Sequence, residues 1–154
     1  MIFYLASRYN RREELCGYRS DLETRGHRVP ARWLRGEHQV RGLAAAAAEA
    51  DGPVPLAQGR PFAEDDMLDL PPADALVAFT EHPGSGAARG GRRVELGVAL
   101  GLRYVRCADK PIYVVGPREN VFHCLSHTQQ FDTWSDFLEC IDKDDEEASD
   151  VMFL

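Results

Sequence analysis

Ala75-Leu76-Val77-Ala78-Phe79, then a glycine-rich loop, then Gly90-Gly91-Arg92-Arg93-Val94-Glu95-Leu96-Gly97-Val98-Ala99-Leu100-Gly101: on this stretch the reading of the whole chain turns. Consecutive apolar residues bounded by turn formers fit a strand buried on both faces, and after the loop the apolar residues recur at helical spacing. A buried strand feeding a helix through glycines is the unit of a parallel α/β sheet, and such sheets hold ligands at the carboxyl ends of their strands. Glu95 lies on the helix side of that junction. It puts a carboxylate at the start of an otherwise apolar helical segment. The helix N-terminus favours its ionised form, which is the form a carboxylate nucleophile needs. The competing reading is a solvated glutamate placed there for the helix dipole alone.

Moving towards the N-terminus, residues 2–6 read as a buried strand, and Asn10 as the cap of a helix running through Glu13, Leu15, Tyr18 and Leu22 to a stop at Gly26. A second strand is expected over 27–33. Between 35 and 60 the pattern weakens to a helix around 44–48 and a loop at Gly52-Pro53-Val54-Pro55, and 62–70 reads as a short helix ended by Pro71-Pro72. Towards the C-terminus a helix is expected over 92–102, a strand over 112–115, a turn of helix over 120–125, a weak strand at 130–131 and a last helix over 133–141. Strands alternating with helices predict an α/β protein: a flavodoxin-like or Rossmann-like three-layer sandwich on a five-stranded parallel sheet. Internal repeats are absent from the sequence.

The chain has 154 residues, which suits one domain large enough to bury roughly two thirds of its unfolded surface. We expect that domain to span 1–142 and the residues 143–154 to form an acidic tail with the apolar ending Val151-Met152-Phe153-Leu154. The four cysteines, Cys16, Cys107, Cys124 and Cys140, form no CxxC pair and suit reduced thiols. A formal net charge of −7 argues against binding a nucleic-acid polymer. No apolar run has the length of a bilayer span, and the opening Met1-Ile2-Phe3-Tyr4-Leu5-Ala6-Ser7-Arg8 reads as a strand and not a signal peptide, so a cytoplasmic protein without membrane contact is expected. His123 and His127 stand four apart beside Cys124, but no further ligand pattern accompanies them, and no metal is expected. Gly84-Ser85-Gly86 falls after the third expected strand, whereas a dinucleotide fingerprint belongs after the first, so no NAD or other cofactor is expected. Trp33 and Trp134 read as packing residues.

With these motifs in order, the chain resembles the nucleoside 2-deoxyribosyltransferase superfamily, which also contains the 2′-deoxynucleoside 5′-monophosphate N-hydrolases. Tyr4-Leu5-Ala6-Ser7 looks like that family's first strand. Asp66, eight residues before Asp74, sits as the family's sugar-binding aspartate sits before its third strand. Glu95 matches the nucleophile of the family's ELG motif, and Asn120 the asparagine that the transferases lend to the neighbouring subunit's site. The resemblance implies cleavage of the N-glycosidic bond of a nucleoside or its 5′-monophosphate, as part of nucleotide metabolism. Glu95 would be the nucleophile, Asp66 would bind sugar and handle the proton, and Tyr4 would hold Glu95 by a hydrogen bond. Ser7 would contact substrate, and a homodimer or higher homo-oligomer would share its sites.

The chain departs from the family at Arg89, which stands where the transferases have a base-contacting carboxylate and the monophosphate hydrolases a serine. With Gly84, Gly86, Gly90, Gly91, Arg92 and Arg93 it suits a loop for an anionic group, and tilts the expectation towards a 5′-phosphate, whereas Asn120 points to an unphosphorylated 5′-hydroxyl. An N-hydrolase is the favoured expectation, with a base-exchanging transferase as the alternative. A phosphoribohydrolase of the cytokinin-activating type fits less well, because its motif's threonine is missing. A catalytically silent nucleotide-binding module is the reading from a different class.

Overall fold

A computed structural model describes residues 1–36, 56–82, 90–106 and 109–151 of the chain. Its sheet contains β1 (Phe3–Ala6), β2 (Ala75–Phe79), β3 (Ile112–Val115) and β4 (Thr128–Phe131), in that spatial order and parallel throughout. All residues of β1, β2 and β3 are buried, as their unbroken apolar runs require of strands covered on both faces. β4, whose sequence is Thr-Gln-Gln-Phe, closes the edge and is only partly buried.

The sheet has four strands, not the five expected. The strand anticipated over 27–33 shrinks to one parallel bridge between Ile2 and Arg28, in which Arg28 N donates to Met1 O (2.9 Å) and Phe3 N to Arg28 O (2.8 Å). Pro30 has no amide to extend the ladder, and the chain then turns into a 3₁₀ helix at Arg32–Arg35, whose Trp33 Nε1 donates to Leu5 O at 2.9 Å. The bridge lies on the edge of β1 opposite β2. That is the place of the missing strand in a flavodoxin-like order, so the carboxyl end of β1 is the switch point of the sheet.

Among the described residues four α-helices lie against the sheet: α1 (Arg12–Thr24), α2 (Leu56–Asp69), α3 (Gly91–Arg106) and α4 (Trp134–Val151). On the face bearing Phe3, Phe79 and Tyr113, the Tyr18 ring of α1 stacks on Phe79 (5.4 Å) and on Trp134 of α4 (4.4 Å), and Phe137 stands edge-on to Phe3 and Tyr113. The opposite face bears Tyr4, Ala6, Leu76 and Ala78, and there α3 contributes the buried Leu96 and Ala99. This is the three-layer arrangement that strands alternating with helices imply.

Several element boundaries differ from expectation. Asn10 lies inside a 3₁₀ turn at Tyr9–Arg11 and does not cap α1, whose N-cap is Arg11 with no side-chain hydrogen bond. Gly26 ends that helix with φ +83°, as its glycine implied. α2 begins six residues earlier than expected and runs through Pro61. α4 continues to Val151 through the acidic run, where Asp142 takes a forked pair from Arg25 (2.7 and 3.2 Å) and Asp145 approaches His27 Nε2 at 3.3 Å. The helix expected around 44–48 and the breaker cluster at 52–55 lie outside the described residues.

Two residues tie the strand ends together. Gly116, just beyond β3, has φ +111°, and a Cβ there would lie 2.6 Å from the Thr80 hydroxyl, so only glycine fits. Lys110 is buried before β3, with Nζ donating to the carbonyls of Leu70, Pro71 and Ala73 in the segment between α2 and β2.

Candidate active site

Tyr4 is the hub. It is fully buried in β1 on the face covered by α2 and α3, and its hydroxyl lies 2.8 Å from Glu95 Oε1 and 3.1 Å from Asp66 Oδ1. The three residues named from the sequence as catalytic are thus in direct contact, brought from β1, the last turn of α2 and the second turn of α3. They sit beside the switch point of the sheet, where open α/β folds place their ligands.

The electrostatics of Glu95 differ from expectation. The helix N-terminus does not win: burial raises the carboxyl to about 8, the Tyr4 hydrogen bond opposes the rise, the charge of Asp66 adds to it, and Arg92 opposes it. Glu95 begins the second turn of α3, beyond most of the influence of the helix dipole, whereas the loss of water acts at full strength. Its Oε2 is enclosed and has no hydrogen-bond partner among the described residues. A neutral carboxyl leaves such an oxygen at lower cost than a carboxylate does. Tyr4 is pushed far above the ordinary phenol range by burial and by its two carboxyl neighbours, so it stays protonated.

The hydrogen-bond arithmetic follows. A phenol has one hydrogen to donate, so two hydrogen bonds at Tyr4 require one of the carboxyls to donate the other. Below about pH 8 that proton is on Glu95, giving a relay in which Glu95 donates to the Tyr4 oxygen and Tyr4 donates to Asp66. Shifting both protons one bond along leaves Glu95 ionised and Asp66 protonated. Those are the states a nucleophile and a general acid need.

The remaining named residues differ in what surrounds them. Ser7, just past β1, has a buried hydroxyl with no partner among the described residues, so a substrate contact would satisfy it. Gly91 opens α3, and Gly90 before it has φ +85°. Arg92 is buried, yet its guanidinium is engaged by Glu119, which Arg93 also approaches at 4.0 Å and whose Oε1 accepts from Glu81 N at 3.0 Å. Glu81 in turn pairs with Arg8. The arginines therefore pair with Glu119, which the Glu81 amide joins to the Arg8–Glu81 pair, and this network links the ends of β1, β2 and β3. Gly84, Gly86 and Arg89 lie outside the described residues.

Asn120 is set apart from the carboxyls. Its Oδ1 accepts from Phe122 N at 2.9 Å and so caps a 3₁₀ turn at Val121–Cys124. Asn120 also lines a groove of about 640 Å³ with Leu96, Leu100 and Phe122, on the side of α3 away from Glu95. His123 is buried, with Nδ1 accepting from Glu119 N, while His127 lies against the ring of Tyr104; among the described residues no group of three or more metal-ligating side chains forms. Asp74, just before β2, accepts from Ile2 N at 2.7 Å.

Two residues were missed in the sequence. Glu119 decides what Arg92 can bind, but lies twenty-seven positions away from it with no local pattern. Arg32 grips α2 through Asp65 and Asp69; that pair, four apart on one helical face, was the available signal for a cationic partner.

No protein-family model matches the chain, and no curated protein matches it by sequence. Among solved structures it is similar to the CMP N-glycosidase BcmB of Clostridium botulinum, at 14% identity and a TM-score of 0.49 over 92% of this chain and 99% of that one.

Proposed function

We propose that the protein cleaves the N-glycosidic bond of a nucleoside or its 5′-monophosphate through Glu95. The observation that carries this reading is the Tyr4 hydroxyl held between two carboxyls, one of them raised to about 8 and enclosed. Such a pair, with protonation states pushed apart, suits a reaction through an oxocarbenium-like state. The Glu95 oxygen attacks the anomeric carbon while the bond to the base breaks, and the bond's electron pair leaves with the base nitrogen, which takes the proton from Asp66. Asp66, now ionised, deprotonates water as it attacks the anomeric carbon, and the bond to Glu95 breaks and restores its carboxylate. Attack by a second base in place of water would make the protein a transferase. Hydrolysis is favoured by Arg89, which replaces the transferases' base-contacting carboxylate.

A second copy of the chain belongs to this reading. Phe122 in the wall of the groove that contains Asn120, and Val121 and Tyr104 beside it, expose large apolar side chains where a neighbouring subunit would use that asparagine.

The test is chromatography of products after incubation with a panel of nucleosides and 5′-monophosphates, with and without a second free base, beside Glu95→Ala and Glu95→Gln. Free base from one substrate, lost in both variants, is expected. A new nucleoside formed only with a second base identifies the transferase, and tight binding without turnover identifies the silent module. Full activity in either Glu95 variant overturns the nucleophile.

A further inference from the structure

We propose that Arg32 is a positioning residue: it fixes Asp66 against the Tyr4 hydroxyl by gripping the same turn of α2 from outside the site. The proposal rests on Tyr4, Asp66 and Glu95 acting as one proton-sharing group.

The grip is complete. The Arg32 amide donates to Asp69 Oδ2 at 2.8 Å and its Nε to Asp69 Oδ1 at 2.9 Å, Nη1 pairs with the Asp65 carboxylate, and Nη2 donates to Asp65 O at 3.0 Å. Asp65 and Asp69 are one helical turn apart and enclose Asp66 in sequence, so one guanidinium sets both the height and the rotation of the turn that presents Asp66. A planar fork does this in a way that a point charge does not.

Packing holds this turn at one point, the buried Leu70 just past α2, whose amide donates to Asp66 O at 3.1 Å, whereas Leu56, Met67 and Leu68 of α2 are 70%, 50% and 65% exposed, so its rotation depends also on the Arg32 fork. The residue after Arg32 closes the circuit, because Trp33 Nε1 donates to Leu5 O, next to Tyr4 in β1. The path from Tyr4 through Asp66, the α2 turn, Arg32, Trp33 and Leu5 returns to Tyr4. The 3₁₀ turn at Arg32–Arg35 that replaces the expected strand is thus a bracket between α2 and β1.

The test uses full-length protein with ¹³C-labelled glutamate carboxyls, the Glu95 resonance being assigned with Glu95→Gln. Around Glu95 stand Tyr4 from β1, Asp66 from α2 and Arg92 from its own helix. In Arg32→Gln we expect the Glu95 midpoint to move down by about one pH unit. The Asp66 charge that raises it withdraws, and Tyr4 turns its hydrogen wholly to Glu95. Loss of the cation acts on the Asp66 charge as well, so positioning is separated from charge by Arg32→Lys, which keeps the charge, loses the fork and must show the same downward shift. On substrate, kcat is expected to fall on the order of 10- to 100-fold with KM little changed, and Arg32→Lys, which keeps the charge and loses the fork, is expected to stay impaired. An unchanged Glu95 titration in folded Arg32→Gln overturns the proposal. If that variant does not fold, Asp69→Asn, which removes one arm of the grip, must show the same downward shift or the proposal falls. The titration needs no turnover, so a wild type inactive on every substrate, together with this shift in Arg32→Gln, overturns the glycosidase reading and leaves Arg32 in its role.

Discussion

Glu95 carries the central conflict of the molecule, a carboxyl that the proposed chemistry needs ionised in a place that burial keeps protonated. In the unfolded chain it titrates near 4.5, and in the folded chain at about 8. Between those values the folded state binds more protons than the unfolded one, so stability falls as pH rises through the window. Glu95→Gln keeps the shape without the charge. After allowance for partial exposure, it is expected to stabilise the protein by about 2 kcal/mol at pH 8 and by almost nothing at pH 4, as read by urea unfolding at the two pH values. Activity should show the same group with the opposite emphasis. In the proposed reaction the proton lost at about pH 8 is the one the leaving base requires, so kcat/KM is expected to fall as pH rises through that value. Asp66→Asn, which ends the relay, should lower kcat about 10²- to 10⁴-fold, checked by steady-state kinetics with the fold monitored by circular dichroism.

The elements that hold this group in place were legible in proportion to how locally their burial is encoded. β1, β2 and β3 stood out because strands covered on both faces read as unbroken apolar runs. The segment at 27–33 also contains apolar residues, yet a proline and a tryptophan bonded to β1 turn it into a bracket, an outcome set by a contact across 28 positions. α4 was underestimated because its acidic run looks solvated, whereas Arg25 and His27 face two of its aspartates. Gly116 gives the test at this scale. Gly116→Ala forces a residue with a Cβ into φ +111° and against Thr80 Oγ1, and is expected to cost about 2–3 kcal/mol in thermal or urea unfolding. Lys110→Met leaves three carbonyls between α2 and β2 without their donor, and a loss of about 2–4 kcal/mol is expected by the same measurement.

For the whole molecule, the exposed apolar belt around Asn120 predicts a dimer in sedimentation velocity, and Phe122→Asp should dissociate it and lower turnover with the monomer still folded. A monomeric, fully active wild type would remove Asn120 from the site. The sequence by itself determined the alternation of strands and helices, because periodicity records which face of each element is buried and glycines record where the chain turns, and it was a resemblance in motifs, not periodicity, that pointed to Tyr4 and Asp66 beside Glu95. Only the tertiary structure decided that one phenol joins two carboxyls from 62 and 91 positions away, that Glu95 holds a proton, that Glu119 occupies Arg92, and that Arg32 sets the turn carrying Asp66. The reason is physical. Burial of an element is written in its own residues, whereas the charge state of a side chain depends on the water it loses and the charges it meets, and both arrive from distant parts of the chain.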